Sequence, residues 1–222
     1  MKQLLSISLI LCFNFFFSFA QTDLKKVLTE IEQTDSLVCF GLDFSNAKFI
    51  GDFPDKKKII DSLLIAWNSM LVSSDMLKAY RAKPFLYDFS VISNRNKQLK
   101  ENDLFTSLPL SLTPDRIQLI INDYDPIIKN GKGLVFIVES FDKNREEAKI
   151  CLTYFNIASK QVLFTQTFVG YAYGIGMVNH WGIAIHQVIL TSTFHPLRYF
   201  TNAAFIIIFA VSLTVFVLLR SF

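Results

Sequence analysis

The sequence is poor in the residues and patterns that fix a chemistry. It has three cysteines and three histidines in 222 residues, with no C-x-x-C pair and no H-E-x-x-H, so the usual frames for a zinc ion are missing. There is no phosphate-cradling G-x-x-x-x-G-K-S/T and no nucleophile turn of the form G-x-S-x-G, which removes the common signs of nucleotide hydrolysis and of serine-hydrolase action. No asparagine begins an N-x-Ser/Thr sequon, so no N-glycan is expected. An excess of one charge is lacking too: without Lys2, the 22 basic side chains become 21 against 19 acidic. The only basic run, Lys56-Lys57-Lys58, reads as a solvated helix face, and nucleic acid is not an expected partner.

What is present begins with two apolar ends. Lys2, the stretch Leu4 to Phe17 and the small-x-small triplet Ser18-Phe19-Ala20 read as a secretory signal over residues 1–20, cleaved before Gln21. Ala203 to Leu219 is uncharged, with Ser212 and Thr214 as its only polar residues. As a helix it would rise about 26 Å, and Tyr199 and Phe200 supply the length missing from a bilayer core of roughly 30 Å. The expectation is an exported domain over 21–190, a juxtamembrane linker over 191–202 that includes His195, a transmembrane helix over 203–219 and a cytoplasmic stub over 220–222. A lipid-anchor tail after Thr191-Ser192-Thr193 is the alternative, against which Arg220 argues. Cys12 falls in the signal; Cys39 and Cys151 lie in strand-like runs and read as buried free thiols, with a disulfide between them left open.

Within the domain, "DLKKVLTEIEQT" spaces Leu24, Val27, Leu28 and Ile31 as one face of a helix. "SLVCFGLDF" reads as a buried strand. Asp52 and Pro54 start a helix with a stripe of Ile59, Ile60, Leu63, Leu64, Trp67, Met70 and Leu71, and "PFLYDFSVIS" is a second strand, followed by a loop or frayed helix over "NRNKQLKEND". Thr113-Pro114-Asp115 opens another helix. "GLVFIVESF", "AKICLTYFNI" and "QVLFTQTFVGYA" read as a strand meander leading to a helix at "HWGIAIHQVI". These readings predict an α/β fold of α+β character: a single mixed sheet with flanking helices, its first three strands parallel, extended by a C-terminal antiparallel meander and followed by the transmembrane helix.

One pair of residues carries a chemical argument. Asp43 and Glu139 both fall near the carboxyl ends of predicted parallel strands, where open α/β sheets form their crevice, with Ser45 and Ser140 close in sequence. If they converge, mutual proximity raises one pKa and supplies an acid and a base, or the pair holds a hard cation; otherwise each acid caps a loop or faces water. The glycines of "GYAYGIGMVNHWG" lack the dinucleotide spacing, so Gly170, Gly174 and Gly176 read as a flexible turn, with a ligand loop as the other reading. His180 and His186 are six apart, on different faces of a helix. No cofactor and no metal is expected.

The strand order, with its hairpin "LTYFNIASKQVLFTQTFVG", resembles the periplasmic domains of the TolB amino-terminal and curli-secretion (CsgG) type, Asn156-Ile157-Ala158-Ser159-Lys160 occupying the turn. "FGLDFSNAKFIG" and "MVNHWGIAIHQVI" resemble an uncharacterised family of small exported bacterial proteins. The resemblance implies a fold and no catalytic residue. The expected function is that of a membrane-tethered exported domain, periplasmic in a Gram-negative cell, acting through contacts with a membrane-associated envelope protein. The alternative is a membrane-tethered hydrolase using Asp43 and Glu139.

Overall fold

A computed structural model describes residues 29–31, 34, 37–73, 86–108 and 111–192; the predicted signal, linker and span, with Cys12 and His195, lie outside them. Residues Ile31–Thr193 form one compact unit. Its strands are β1 (Leu37–Asp43), β2 (Lys48–Ile50), β3 (Leu86–Tyr87), β4 (Phe105–Thr106), β5 (Lys132–Asp142), β6 (Glu147–Asn156) and β7 (Val162–Tyr171). The helices are α1 (Lys56–Lys58, continued through a π-helical turn at Ile59–Leu63 into Leu64–Ser73), α2 (Ser90–Lys97), the single turn α3 (Glu101–Leu104), α4 (Pro114–Asn122) and α5 (residues 177–192).

The expected fold needs two corrections. The sheet is mostly parallel: β1–β3, β1–β5, β2–β5 and β2–β4 all pair parallel, and the antiparallel pairings are β5–β6 and β6–β7. β5 is therefore not the first strand of an appended meander but the parallel centre of the sheet. The sequence pattern missed β2 and β4 because they are three and two residues long, too short to show a period. Secondly, no helix among the described residues is long and apolar enough to cross a membrane, so the fold as described has no transmembrane helix.

The register reveals how the sheet is built. β6 occupies one edge of β5 along its whole length, Lys132 to Asp142. A strand has two edges, so β1, paired with Leu37 to Asp43 against Lys132 to Ile137, and β2, paired with Lys48 to Ile50 against Ser140 to Asp142, must share the other. They are two segments of one interrupted row, and the excursion Phe44–Ala47 between them bulges out opposite Glu139, which is itself skipped in the pairing with β6. Every residue of β1 is buried, as expected of a parallel strand covered on both faces.

The faces divide the helices. On one, α2 and α4 contribute Val91, Ile92, Ile117, Ile120 and Ile121 to a core over Val38, Phe40, Val135 and Ile137. On the other, α1 and α5 bring Trp67 and Trp181 onto Phe141, at ring-centroid distances of 5.2 and 4.7 Å, and Trp67 Nε1 donates to the Val178 carbonyl. Removing either indole would cost about 3–5 kcal/mol. Thr113 caps α4 through its hydroxyl, which accepts from Arg116 N, with Pro114 at the first position. Of "NRNKQLKEND", the first four residues end α2, which begins within the run expected to be a strand. Gly170, expected in a flexible turn, lies inside β7, where an added Cβ would meet the Ala184 carbonyl oxygen of α5 at 2.0 Å. Gly174 and Gly176 form the turn, at φ 102° and 80°.

Candidate functional site

Asp43 ends β1 and Glu139 sits in β5 two residues beyond Asp43's partner Ile137. Both are buried, and both point to the face carrying α2 and α4, but each meets its own donors. Asp43 Oδ1 accepts from Ser45 N at 2.7 Å, and Oδ2 accepts from the Tyr124 hydroxyl at 2.6 Å and lies 3.4 Å from Arg95 Nε. Glu139 Oε2 accepts from Leu112 N at 2.9 Å. No hydrogen bond or ion pair described joins the two carboxylates.

Arg95, from α2, organises the mouth of this site. Its guanidinium bonds Ser45 Oγ through Nε and Nη2 and lies 5.3 Å from the centroid of the Tyr124 ring. Asn46 donates to Ser45 Oγ and accepts from Arg116 Nη2. Burial pushes the Tyr124 hydroxyl well above its ordinary value and the Asp43 carboxylate adds to the shift, so Tyr124 is a persistent proton donor to Asp43. The group closes the bulge between β1 and β2: both carboxylate oxygens of Asp43, the Ser45 hydroxyl and the Tyr124 hydroxyl are engaged within the protein.

The outer edge of β1 between β3 and β4 is closed by two asparagines. Asn68 of α1 accepts from Leu42 N at 2.7 Å and donates to the Leu42 carbonyl at 3.0 Å, mimicking a neighbouring strand. Asn96 of α2 accepts from Phe44 N and donates to the same carbonyl. Gly41, at φ 95°, makes room: a Cβ there would lie 2.5 Å from Asn68 Oδ1. Above these carboxamides a cleft of about 540 Å³ opens between α1 and α2, lined by Ile60, Ile65, Phe89 and Ile92 with Asn68 and Asn96. Neither Asp43 nor Glu139 lines it.

Asp88, expected inside a strand, lies just before α2. It accepts from Ser90 N and Oγ and from Ile128 N. Burial works to raise its carboxyl, but the Ser90 hydroxyl and the N–H groups of Ile128, Ser90 and Ile127 outweigh it and hold it below the ordinary 3.8. Asp88 thus fastens the start of α2 to the segment entering β5. Cys39 and Cys151 are buried free thiols, pushed by burial to about 12 and about 11. Among the described residues no three His, Cys, Asp or Glu side chains are grouped to hold a metal ion.

The opposite edge of the sheet differs. Among the described residues β7 pairs only with β6. Its ends are closed by glutamines, Gln118 Oε1 accepting from Val162 N and Gln187 Oε1 from Tyr171 N. Tyr171 N therefore points away from β6, whereas Ala172 N donates to Glu146 on the β6 side. Strand alternation then turns the N–H and C=O groups of Thr165, Thr167 and Val169 outward, and no described residue answers them. Between Lys160 and Arg198 the sequence contains no Asp, Glu, Lys or Arg, a signal that was legible without a structure. Val169, Tyr171, Tyr173 and Ile175 are exposed there, Ile175 at 92%. No family model and no curated protein matches the chain, so the site rests on its own geometry.

Proposed function

We propose that this domain is an exported protein-contact module of the cell envelope, working close to a membrane and without catalysis, and that its contact site is the open edge of β7. The observation that supports this reading is the uncharged middle of β7, unpaired among the described residues, between ends closed by Gln118 and Gln187. Natural sheets protect free edges with lysine, proline or bulges; the irregularity of β7 lies at Leu163, beside its closed end, and the outward residues Thr165, Thr167 and Val169 supply no lysine or proline. An exposed edge of this kind takes up an added strand through main-chain hydrogen bonds, with flanking side chains setting the choice of partner. The location rests on the apolar runs Leu4–Phe17 and Ala203–Leu219 of the sequence.

The hydrolase alternative has less support, because Asp43 and Glu139 are buried, separately bonded and outside the cleft. The test is recovery of bound proteins from solubilised membranes with full-length wild type and with Val169→Lys, which places a charge at the open edge. Loss of the bound set from the variant is expected. An unchanged set with an unchanged biological role overturns the proposal, and loss of the role in a folded Glu139→Gln variant turns it towards the hydrolase.

A further inference from the structure

We infer that the strand added to β7 is the β7 of a second copy of this chain, in antiparallel register about a twofold axis through Thr167. This rests on the reading of β7 as the contact edge and names its occupant. The outward-facing residues are Thr165, Thr167 and Val169, so they are centred on Thr167. An antiparallel self-pairing that sets Thr167 opposite its own copy also sets Thr165 opposite Val169, and it is the register in which all three outward residues form hydrogen-bonded pairs. One residue either way leaves an outward group of each copy facing past the partner's set.

Side chains agree with that register. Because opposite residues in a sheet share a face, Thr165 meets Val169 on the side of α4, where Val169 is exposed at 39%. On the side of α5, Phe164 meets Gly170, a large residue against one with no side chain, and Gln166 meets Phe168. A twofold axis perpendicular to the sheet repeats every charge of one copy on the other, so self-association is opposed wherever charges of one sign gather at the seam. The stretch between Lys160 and Arg198 has none, whereas β5 and β6 end in Asp142, Glu147 and Lys149. The glutamine closures at Val162 and Tyr171 limit the seam to the residues between them.

The experiment uses the full-length protein in detergent, followed by sedimentation equilibrium and by thiol cross-linking. Wild type should be a dimer at micromolar concentration. Thr167→Pro removes the outward N–H at the axis, in both copies at once, at a position where an edge strand tolerates proline. It should weaken association at least about tenfold while leaving the far-ultraviolet circular dichroism unchanged. Two tagged variants, Thr165→Cys and Val169→Cys, should cross-link to each other on mixing and oxidation, and much less to themselves. A wild type that stays monomeric, or self-cross-linking as efficient as the mixed reaction, overturns the self-pairing. If the wild type is monomeric and Val169→Lys still loses its bound proteins, the contact edge stands and its occupant is another chain; if neither effect is seen, both readings fall.

Discussion

The two edges of this sheet solve the same problem in opposite ways. At β1 the backbone groups left between β3 and β4 are answered by Asn68 and Asn96, brought in by two helices. At β7 only the ends are answered, and the middle faces outward. A buried edge has to be satisfied because each lost partner there costs on the order of 1–3 kcal/mol; an exposed edge can leave the same groups to water or to another strand. Polar density therefore marks structure on the first edge, and the want of it marks interaction on the second.

The comparison breaks most sharply at Asp43. Asp43→Ala leaves the Tyr124 hydroxyl and one side of Arg95 without a partner in a buried site, and should lower unfolding free energy in urea by about 3 kcal/mol. A loss below about 1 kcal/mol would mean that the network is not structural and would reopen the case for catalysis. Asn68→Ala removes the acceptor of Leu42 N and one of the two donors to the Leu42 carbonyl, Asn96 keeping the other, and should cost about 2 kcal/mol by the same measurement, with hydrogen exchange at Leu42 rising before that of β5. A variant as stable as wild type would show that this edge needs no closure.

Acid sharpens the contrast further. The Asp88 carboxyl is held below 3.8 in the folded protein, so the unfolded chain takes up its proton first as pH falls. The stability it contributes is complete above the unfolded value and is lost as pH drops through the folded one. The difference in stability between wild type and Asp88→Asn should accordingly be constant near neutrality and shrink below about pH 4. A difference that grows on acidification contradicts the assignment. The smallest effect belongs to the open edge: Val169→Lys should change unfolding free energy by no more than about 0.5 kcal/mol, although it changes what the protein binds. A large destabilisation would place Val169 in the core of the fold.

Long elements with a clear period were legible in the sequence. β1 is a run of apolar residues because both its faces are covered, and α4 declares itself through Thr113, Pro114 and the spacing of Ile117, Ile120 and Ile121. β2 and β4 were not legible, since a pairing of two or three residues is decided by its neighbour and leaves no repeat of its own, and β3 was legible only as part of a longer strand. The region of "PFLYDFSVIS" misled for a related reason: Asp88 looks like a polar interruption in a strand, but its carboxylate starts a helix. For the site, Asp43 and Glu139 were visible as acids at strand ends, whereas Arg95, Tyr124, Asn68 and Asn96 are scattered along the chain and become a group only when folded. The charge-free stretch beyond Lys160 was open to view; its meaning required knowing that β7 is an edge.

The interrupted row formed by β1 and β2 also sets an order of events during synthesis. Both segments need β5 as their common neighbour, and β5 follows β1 in the chain by a long interval containing α1, α2 and α4. β5, β6 and β7, by contrast, are joined by short turns and make their contacts locally, which favours rapid pairing. The amino-terminal half of the domain must wait in the nascent chain until its template arrives, with "LVCFGLD" exposed in the meantime, an apolar strand of the type that associates wrongly while unpaired. Pulse-labelled hydrogen exchange during refolding should protect amides of β5–β6 before those of β1, and simultaneous protection would mean that the row closes in one cooperative step.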